Sequence, residues 1–133
     1  MKMRRDHVVP LSRQALAILK EQQEETRHIN TDWVFPSQIR PRQCMSDGTV
    51  NRAIKRLGFG ESMVAHGVRA LARTVIREKL GYDSEIIERQ LAHKPSGPLG
   101  EAYDRTQFLD MRRKMMQHWG DYLEEVRQVS PGV

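Results

Sequence analysis

The chain has 133 residues, of which 38% are hydrophobic and 29% are charged. This length allows one domain with a single modest core. Lys and Arg outnumber Asp and Glu by 22 to 17, and the net charge of +5 favours an acidic partner, most commonly nucleic acid. The single cysteine, Cys44, excludes an internal disulfide. No apolar run approaches the roughly 20 residues that span a bilayer, so we expect a soluble, cytoplasmic protein without a membrane partner.

The N-terminal segment predicts a small β-strand followed by a helix. In "HVVPLS", residues 7–12, two β-branched valines precede Pro10, which would end a strand. This strand would pair within the N-terminal residues as a hairpin, or the chain begins inside a sheet. Ser12 is a suitable N-cap for a first helix that ends near Glu25. The fold class predicted is therefore mainly α with a small N-terminal β-strand or hairpin.

Four more helices are predicted after the proline-containing loop "NTDWVFPSQIRPR". Ser46 and Asp83 are predicted N-caps of the second and fourth helices, and Gly58 and Gly81 follow the second and third. The third helix runs from about Ala65 to Leu80 and the last from about Thr106 to Arg127. The last helix carries an apolar stripe that serves packing in its own chain or against a neighbour, formed by Phe108, Met111, Met115, Trp119, Tyr122 and Val126.

The third helix opens with "HGVRALART", which places His66 and Arg69 three residues apart and about one turn from each other. Helix amides and the helix dipole favour an anion at this end. The pair therefore predicts a phosphate-binding site at the start of the third helix. The alternative for these two residues is a capping histidine beside a solvated arginine.

His93 and Tyr103 lie on either side of a loop rich in proline and glycine. A phenol attacks phosphorus only if its proton can leave and the phosphate charge is neutralised. Because its pKa is ordinarily about 10, it needs cationic neighbours and a base, which histidine can supply. The loop would let the phenol be placed or withdrawn. The alternative for Tyr103 is a half-buried aromatic at a helix start.

The order H-x-x-R, then His, then Tyr resembles the tyrosine recombinase family, in particular the satellite-phage-type integrases. The resemblance covers most of the chain and is carried by the segments "HVVPLS", "NRAIKRLGFG", "AHGVRALART", "LGYDSEIIERQLAHK" and "LGEAYDRTQFLDMRRKMMQHWGDYL". It implies the C-terminal part of the recombinase catalytic fold and a site-specific DNA recombination activity with no cofactor and no metal.

The resemblance also implies roles for five residues. His66 and Arg69 match the H-x-x-R box, His93 matches the later His/Trp position, and Tyr103 matches the nucleophile. Lys2 matches the strand lysine, a general acid for the leaving 5′-hydroxyl. The implied reaction is cleavage of double-stranded DNA at attachment sites through a 3′-phosphotyrosine, by a homotetramer of the full-length protein.

The sequence departs from the family pattern before Lys2. The family has a further arginine upstream, and N-terminal DNA-binding domains precede it. We therefore expect residues 1–133 to be a partial catalytic domain with little or no activity on its own. Its expected DNA contacts come from Arg52, Lys55, Arg56, Arg73 and Lys94.

Three other readings stay open from the residues themselves. The second and third helices could form a non-catalytic helix-turn-helix module with Arg52, Lys55 and Arg56 on phosphates. His66 and His93 could suggest a metal site, although no cysteine cluster or ligand spacing accompanies them. An inert helical interaction domain is the third reading, and it would lack a salt-sensitive DNA affinity.

Overall fold

A computed structural model describes residues 6–93 and 107–130, and this part of the chain is mainly helical, as predicted. Its helices are α1 Arg13–Thr26, α2 Thr49–Arg56, α3 Ala65–Glu78, α4 Ser84–Gln90 and α5 Gln107–Val129. Within these described ranges, no helix combines the length and apolarity needed to cross a membrane. The structure divides into a central unit, residues 15–72, and a terminal unit, which among the described residues comprises 6–14, 73–93 and 107–130.

The predicted N-terminal β-strand is wrong for its described residues, since 6–12 form no strand. Hydrogen bonds between this segment and the helices are present in place of strand pairing. Arg112 Nη2 donates to the Val8 carbonyl oxygen at 2.6 Å, and His7 Nε2 lies 3.1 Å from the Gln90 carbonyl oxygen. The β propensity of the two valines is weak and depends on a neighbouring strand. The segment is instead held in the terminal unit by these two hydrogen bonds.

The predicted N-cap of α4, Asp83, and the two predicted glycine stops are confirmed. Gly58 and Gly81 have φ of +88° and +75°, the left-handed conformation that ends a helix at low cost. The prediction that Ser46 caps α2 is wrong, because the N-cap is Gly48. The Ser46 hydroxyl instead lies 2.9 Å from the Thr49 hydroxyl. The two glycines therefore marked the ends of α2 and α3, whereas Ser46 did not mark the start of α2.

The loop between α1 and α2 is held within the central unit by hydrogen bonds. Trp33 Nε1 donates to the Arg42 carbonyl oxygen at 2.9 Å, and Gln22 Nε2 donates to the Val34 carbonyl oxygen at 3.0 Å. Pro36 and Cys44 form an isolated antiparallel bridge. These contacts fold a long connection without giving it a strand.

The terminal unit holds the buried apolar core, where α4 packs on α5. Its buried hydrophobic side chains are Ile76, Ile86, Ile87 and Met115. Arg89 and Arg112 are also buried: Arg89 lies over the Phe108 ring at 4.5 Å, and Arg112 Nε donates to Gln90 Oε1 at 2.8 Å. The planar guanidinium group carries several hydrogen-bond donors, which suits each arginine to a buried position beside apolar side chains. Helix α5 thus packs in its own chain around Met115.

The start of α1 contacts α5 within the terminal unit. The Arg13 backbone N–H donates to Gln117 Oε1 at 2.8 Å, and Gln14 Nε2 donates to Asp121 Oδ1, also at 2.8 Å. This close approach is possible because residue 120 is a glycine. A Cβ at Gly120 would lie 2.8 Å from Ser12 Cβ and 2.5 Å from Gln14 Oε1.

We expect Gly120→Ala to destabilise the chain by about 1–3 kcal/mol, because the overpacking cost exceeds the gain in helix propensity. The Gln14 amide can rotate away, but Ser12 is buried and its Cβ is fixed to the backbone. Urea unfolding of both proteins measures the difference. Gly67→Ala in α3 is the control, since its Cβ would meet only Val64 Cγ2 at 3.7 Å. Equal stability of the Gly120 variant and the parent would contradict this packing.

Candidate active site

The H-x-x-R pair lies at the exposed start of α3, in the central unit. Asn51 Oδ1 accepts the hydrogen bond of the Ala65 backbone N–H at 2.8 Å, which fixes the first residue of the helix to α2. His66 and Arg69 follow in the first turns, and both are exposed. They lie on one side of the helix, near the amides that favour an anion. The sequence placed the pair correctly at the start of α3, and a phosphate contact at this end of the helix stays a prediction.

Asn51 was missed by reasoning from the sequence. It is an exposed polar residue of α2, and such a residue is ordinarily solvated. Its role comes from a partner 14 residues away along the chain. No short sequence pattern predicts a hydrogen bond between residues this far apart.

His93 follows α4 in the terminal unit and contacts Glu88. His93 Nδ1 is hydrogen-bonded to Glu88 Oε2, and the second carboxylate oxygen, Oε1, lies 2.6 Å from Arg73 Nε. The Glu88 side chain is 27% exposed, while those of Arg73 and His93 are 54% and 47% exposed. A single carboxylate thus joins an arginine of α3 and the predicted catalytic histidine.

The environment of Glu88 favours its charged form. The hydrogen bond from His93, then the positive charge of Arg73, hold the pKa of the Glu88 carboxyl below its usual value of 4.5, against the opposing effect of burial. Because the folded pKa of Glu88 lies below its unfolded pKa, the carboxylate stabilises the fold at pH values above the unfolded pKa. This stabilisation is lost as the pH falls through the folded pKa.

We therefore expect Glu88→Gln to reduce the free energy of unfolding at about pH 7 by about 1 kcal/mol, the scale of a partly exposed ion pair. At an acidic pH below the lowered folded pKa the wild-type carboxyl is itself protonated, so the two proteins should converge. Urea unfolding at both pH values measures the two differences. A difference of the same size at both would show that the charge of Glu88 does not stabilise the fold.

Helix α2 presents the predicted DNA-binding residues of the central unit. Arg52, Lys55 and Arg56 are all exposed. Arg52 Nη2 donates to the hydroxyl of Ser46, a neutral partner, at 2.8 Å. Arg73, by contrast, is paired with the Glu88 carboxylate.

Three predicted residues lie outside the described residues. These are the proposed nucleophile Tyr103, the proposed general acid Lys2 and the DNA-binding candidate Lys94, together with the loop that precedes Tyr103. Among the residues that the structure does describe, no three His, Cys, Asp or Glu side chains gather in a way that could hold a metal ion.

The predicted site residues among the described part of the chain thus lie at the start of α3 and just after α4. Residues 1–108 match the family model described as the phage integrase family. The chain belongs to the phage integrase family.

Curated relatives agree with this assignment. The chain is 44% identical over 124 residues to prophage integrase IntA of Escherichia coli K12, with 93% of the chain and 29% of the relative aligned. It is 37% identical over 127 residues to the integrase of Enterobacteria phage P4, with 93% and 28% aligned. Prophage integrase IntZ of E. coli K12 is 37% identical over 126 residues, with 95% and 30% aligned. The chain therefore spans less than a third of each of these relatives. No solved structure matches it significantly.

Proposed function

We propose that this chain supplies catalytic residues for site-specific DNA recombination, the integration and excision of a phage or genomic-island element. The exposed H-x-x-R pair at the start of α3 is the observation that carries the proposal, because an arginine, a histidine and the helix amides could donate hydrogen bonds to one phosphate. Membership of the phage integrase family supports it. The same membership speaks against the non-catalytic DNA-binding module as an alternative.

In the proposed reaction the Tyr103 hydroxyl oxygen attacks the scissile phosphorus. A bond forms between that oxygen and phosphorus while the phenol proton passes to a histidine acting as the base, the bond to the 5′-oxygen breaks, and Lys2 gives the leaving oxygen a proton. The product is a 3′-phosphotyrosine and a free 5′-hydroxyl. Attack by the 5′-hydroxyl of a partner strand reverses these steps and releases the tyrosine. The phosphoester energy is kept in the covalent link, so the cycle uses no ATP.

Arg69, His66 and His93 would act on the phosphate during this attack. Charge develops on the non-bridging oxygens, and positioned donors stabilise it more in the transition state than in the ground state. Arg69 and His66 would hold these oxygens at the helix end. The family resemblance would give His93 a part in the same reaction.

The proposed partner is double-stranded DNA at attachment sites in the cytoplasm of a bacterial host. The exposed cations of α2, Arg52, Lys55 and Arg56, would contact its phosphates. Arg73 and Lys94 are proposed to add further contacts. A homotetramer of the full-length integrase on two DNA sites is the proposed active assembly.

The test is covalent adduct formation on a nicked suicide substrate by an integrase that includes this chain. We expect a protein–DNA adduct that resists denaturation, and we expect it equally in excess EDTA, because arginine and histidine supply the positive charge. Binding without any adduct would support the non-catalytic module. An adduct lost on chelation and restored by magnesium or zinc would contradict a metal-free reaction.

A further inference from the structure

The Glu88 carboxylate contacts two other side chains of the terminal unit. It receives Arg73 on one oxygen, at 2.6 Å, and His93 Nδ1 on the other. Glu88 lies in α4 between two buried residues, Ile87 and Arg89. Its backbone is therefore fixed by the core, and its side chain is held at both oxygens. Such a carboxylate can hold a neighbouring ring in place.

The end of α4 brings His93 back to Glu88. The His93 backbone N–H donates to the Glu88 carbonyl oxygen at 2.9 Å, and the Ala92 N–H donates to the Arg89 carbonyl oxygen at 3.1 Å. These two bonds, together with Ala92 in the left-handed conformation at φ 57°, form a Schellman motif. Alanine adopts this conformation at a cost of about 1 kcal/mol. The chain thus accepts local strain where the turn places the His93 ring against the carboxylate.

The contact defines which nitrogen of His93 carries a proton. An ionised carboxylate only accepts hydrogen bonds, so His93 Nδ1 must donate. In the neutral ring the lone pair then belongs to Nε2, which can take a proton, and in the charged ring Nε2 carries a proton that a phosphate oxygen can accept. A carboxylate plays the same part for the histidine of a serine protease triad, where it holds the tautomer and orientation.

We propose that Glu88 is a positioning residue for the recombination reaction, which fixes the orientation and Nδ1–H tautomer of His93 so that Nε2 acts at the phosphate. This inference rests on the proposed function, in which His93 acts at the scissile phosphate. Arg73 orients the carboxylate through its other oxygen. A simple salt bridge between α3 and α4 would need Arg73 and Glu88 but not the contact with His93.

The tautomer of His93 distinguishes these two roles. We would label the five histidines of this chain with 15N and record ring nitrogen–proton correlations above the pH at which His93 loses its charge. His93 should be in the Nδ1–H form in the parent. Glu88→Ala should move it to the Nε2–H form that free histidine prefers. The control is Glu85→Ala, which removes an acid of the same helix that pairs with Arg89 and should leave His93 unchanged.

Cleavage by an integrase that includes this chain is the second readout. Glu88→Ala should slow adduct formation about 10- to 100-fold, which is the effect of losing a residue that orients a metal-binding side chain in a metalloenzyme. DNA affinity should be unchanged, and Glu88→Asp should recover part of the rate. If the alanine variant does not fold by circular dichroism, Glu88→Gln keeps the side-chain volume and should give smaller changes in the same direction.

Two results would overturn the proposal. One is a parent His93 in the Nε2–H form, or one that is unchanged in Glu88→Ala. The other is a tautomer that changes while the rate of adduct formation does not. Failure of the proposed function shows separately, as an adduct that survives Tyr103→Phe, and the tautomer measurement does not depend on it.

Discussion

Replacing Tyr103 with phenylalanine is expected to abolish the covalent protein–DNA adduct while leaving DNA binding intact. Phenylalanine keeps the ring and removes only the oxygen that would attack phosphorus. No other step of the proposed reaction can form the link. Denaturing electrophoresis of an integrase that includes this chain, after reaction with a suicide substrate, measures the loss directly.

The chain offers two matched controls among its three tyrosines. The Tyr82 hydroxyl lies 3.2 Å from His118 Nδ1, and the Tyr122 ring stacks on Trp119 with centroids 5.8 Å apart. Both belong to the terminal unit and have structural roles there. Tyr82→Phe and Tyr122→Phe should therefore keep adduct formation. An adduct formed by the Tyr103 variant, or lost in a control that still folds, would contradict the assignment of the nucleophile.

Arg69→Ala is expected to slow cleavage about 100- to 1,000-fold, or about 3 kcal/mol in the barrier, because one donor to the charged transition state is lost. The effect should fall on the rate of the bound complex more than on DNA affinity, since the donor acts most strongly as charge develops. Single-turnover cleavage at saturating protein separates these two quantities.

Arg77→Ala provides the comparison for this result. Arg77 is an exposed arginine in the last turn of the same helix, far from the end that favours an anion. Its loss removes the same charge from α3 without removing the predicted phosphate contact. If the Arg77 variant slows cleavage as much as the Arg69 variant, general charge explains the effect and the predicted phosphate-binding site is wrong.

The helices of this chain were predictable from local pattern. Apolar residues located α1, α2, α4 and α5, and Gly58 and Gly81 located two of the helix ends, because each signal acts within a few residues. The predicted last helix, about 106–127, corresponds to α5 at Gln107–Val129. The H-x-x-R pair was likewise found from its spacing, since helix geometry alone puts its members on one side.

The remaining features depend on residues far apart in the chain. The valines before Pro10 predicted a strand, but the Val8 carbonyl oxygen is bonded to Arg112, 104 residues away. The ion pair of Glu88 likewise requires Arg73, and nothing in "SEIIERQ" separates Glu88 from Glu85. Tertiary contacts decide both cases, and no periodicity within a short window reports them.

The most direct test of the proposed function is to identify the amino acid that becomes linked to DNA. The adduct from a suicide substrate would be digested with protease and nuclease, and the modified peptide would be sequenced by mass spectrometry. We predict a phosphodiester between Tyr103 and the 3′-phosphate of the cleaved strand, with a free 5′-hydroxyl on the other fragment. A link at Tyr82, at Tyr122 or at a serine, or attachment through a 5′-phosphate, would contradict the proposed function.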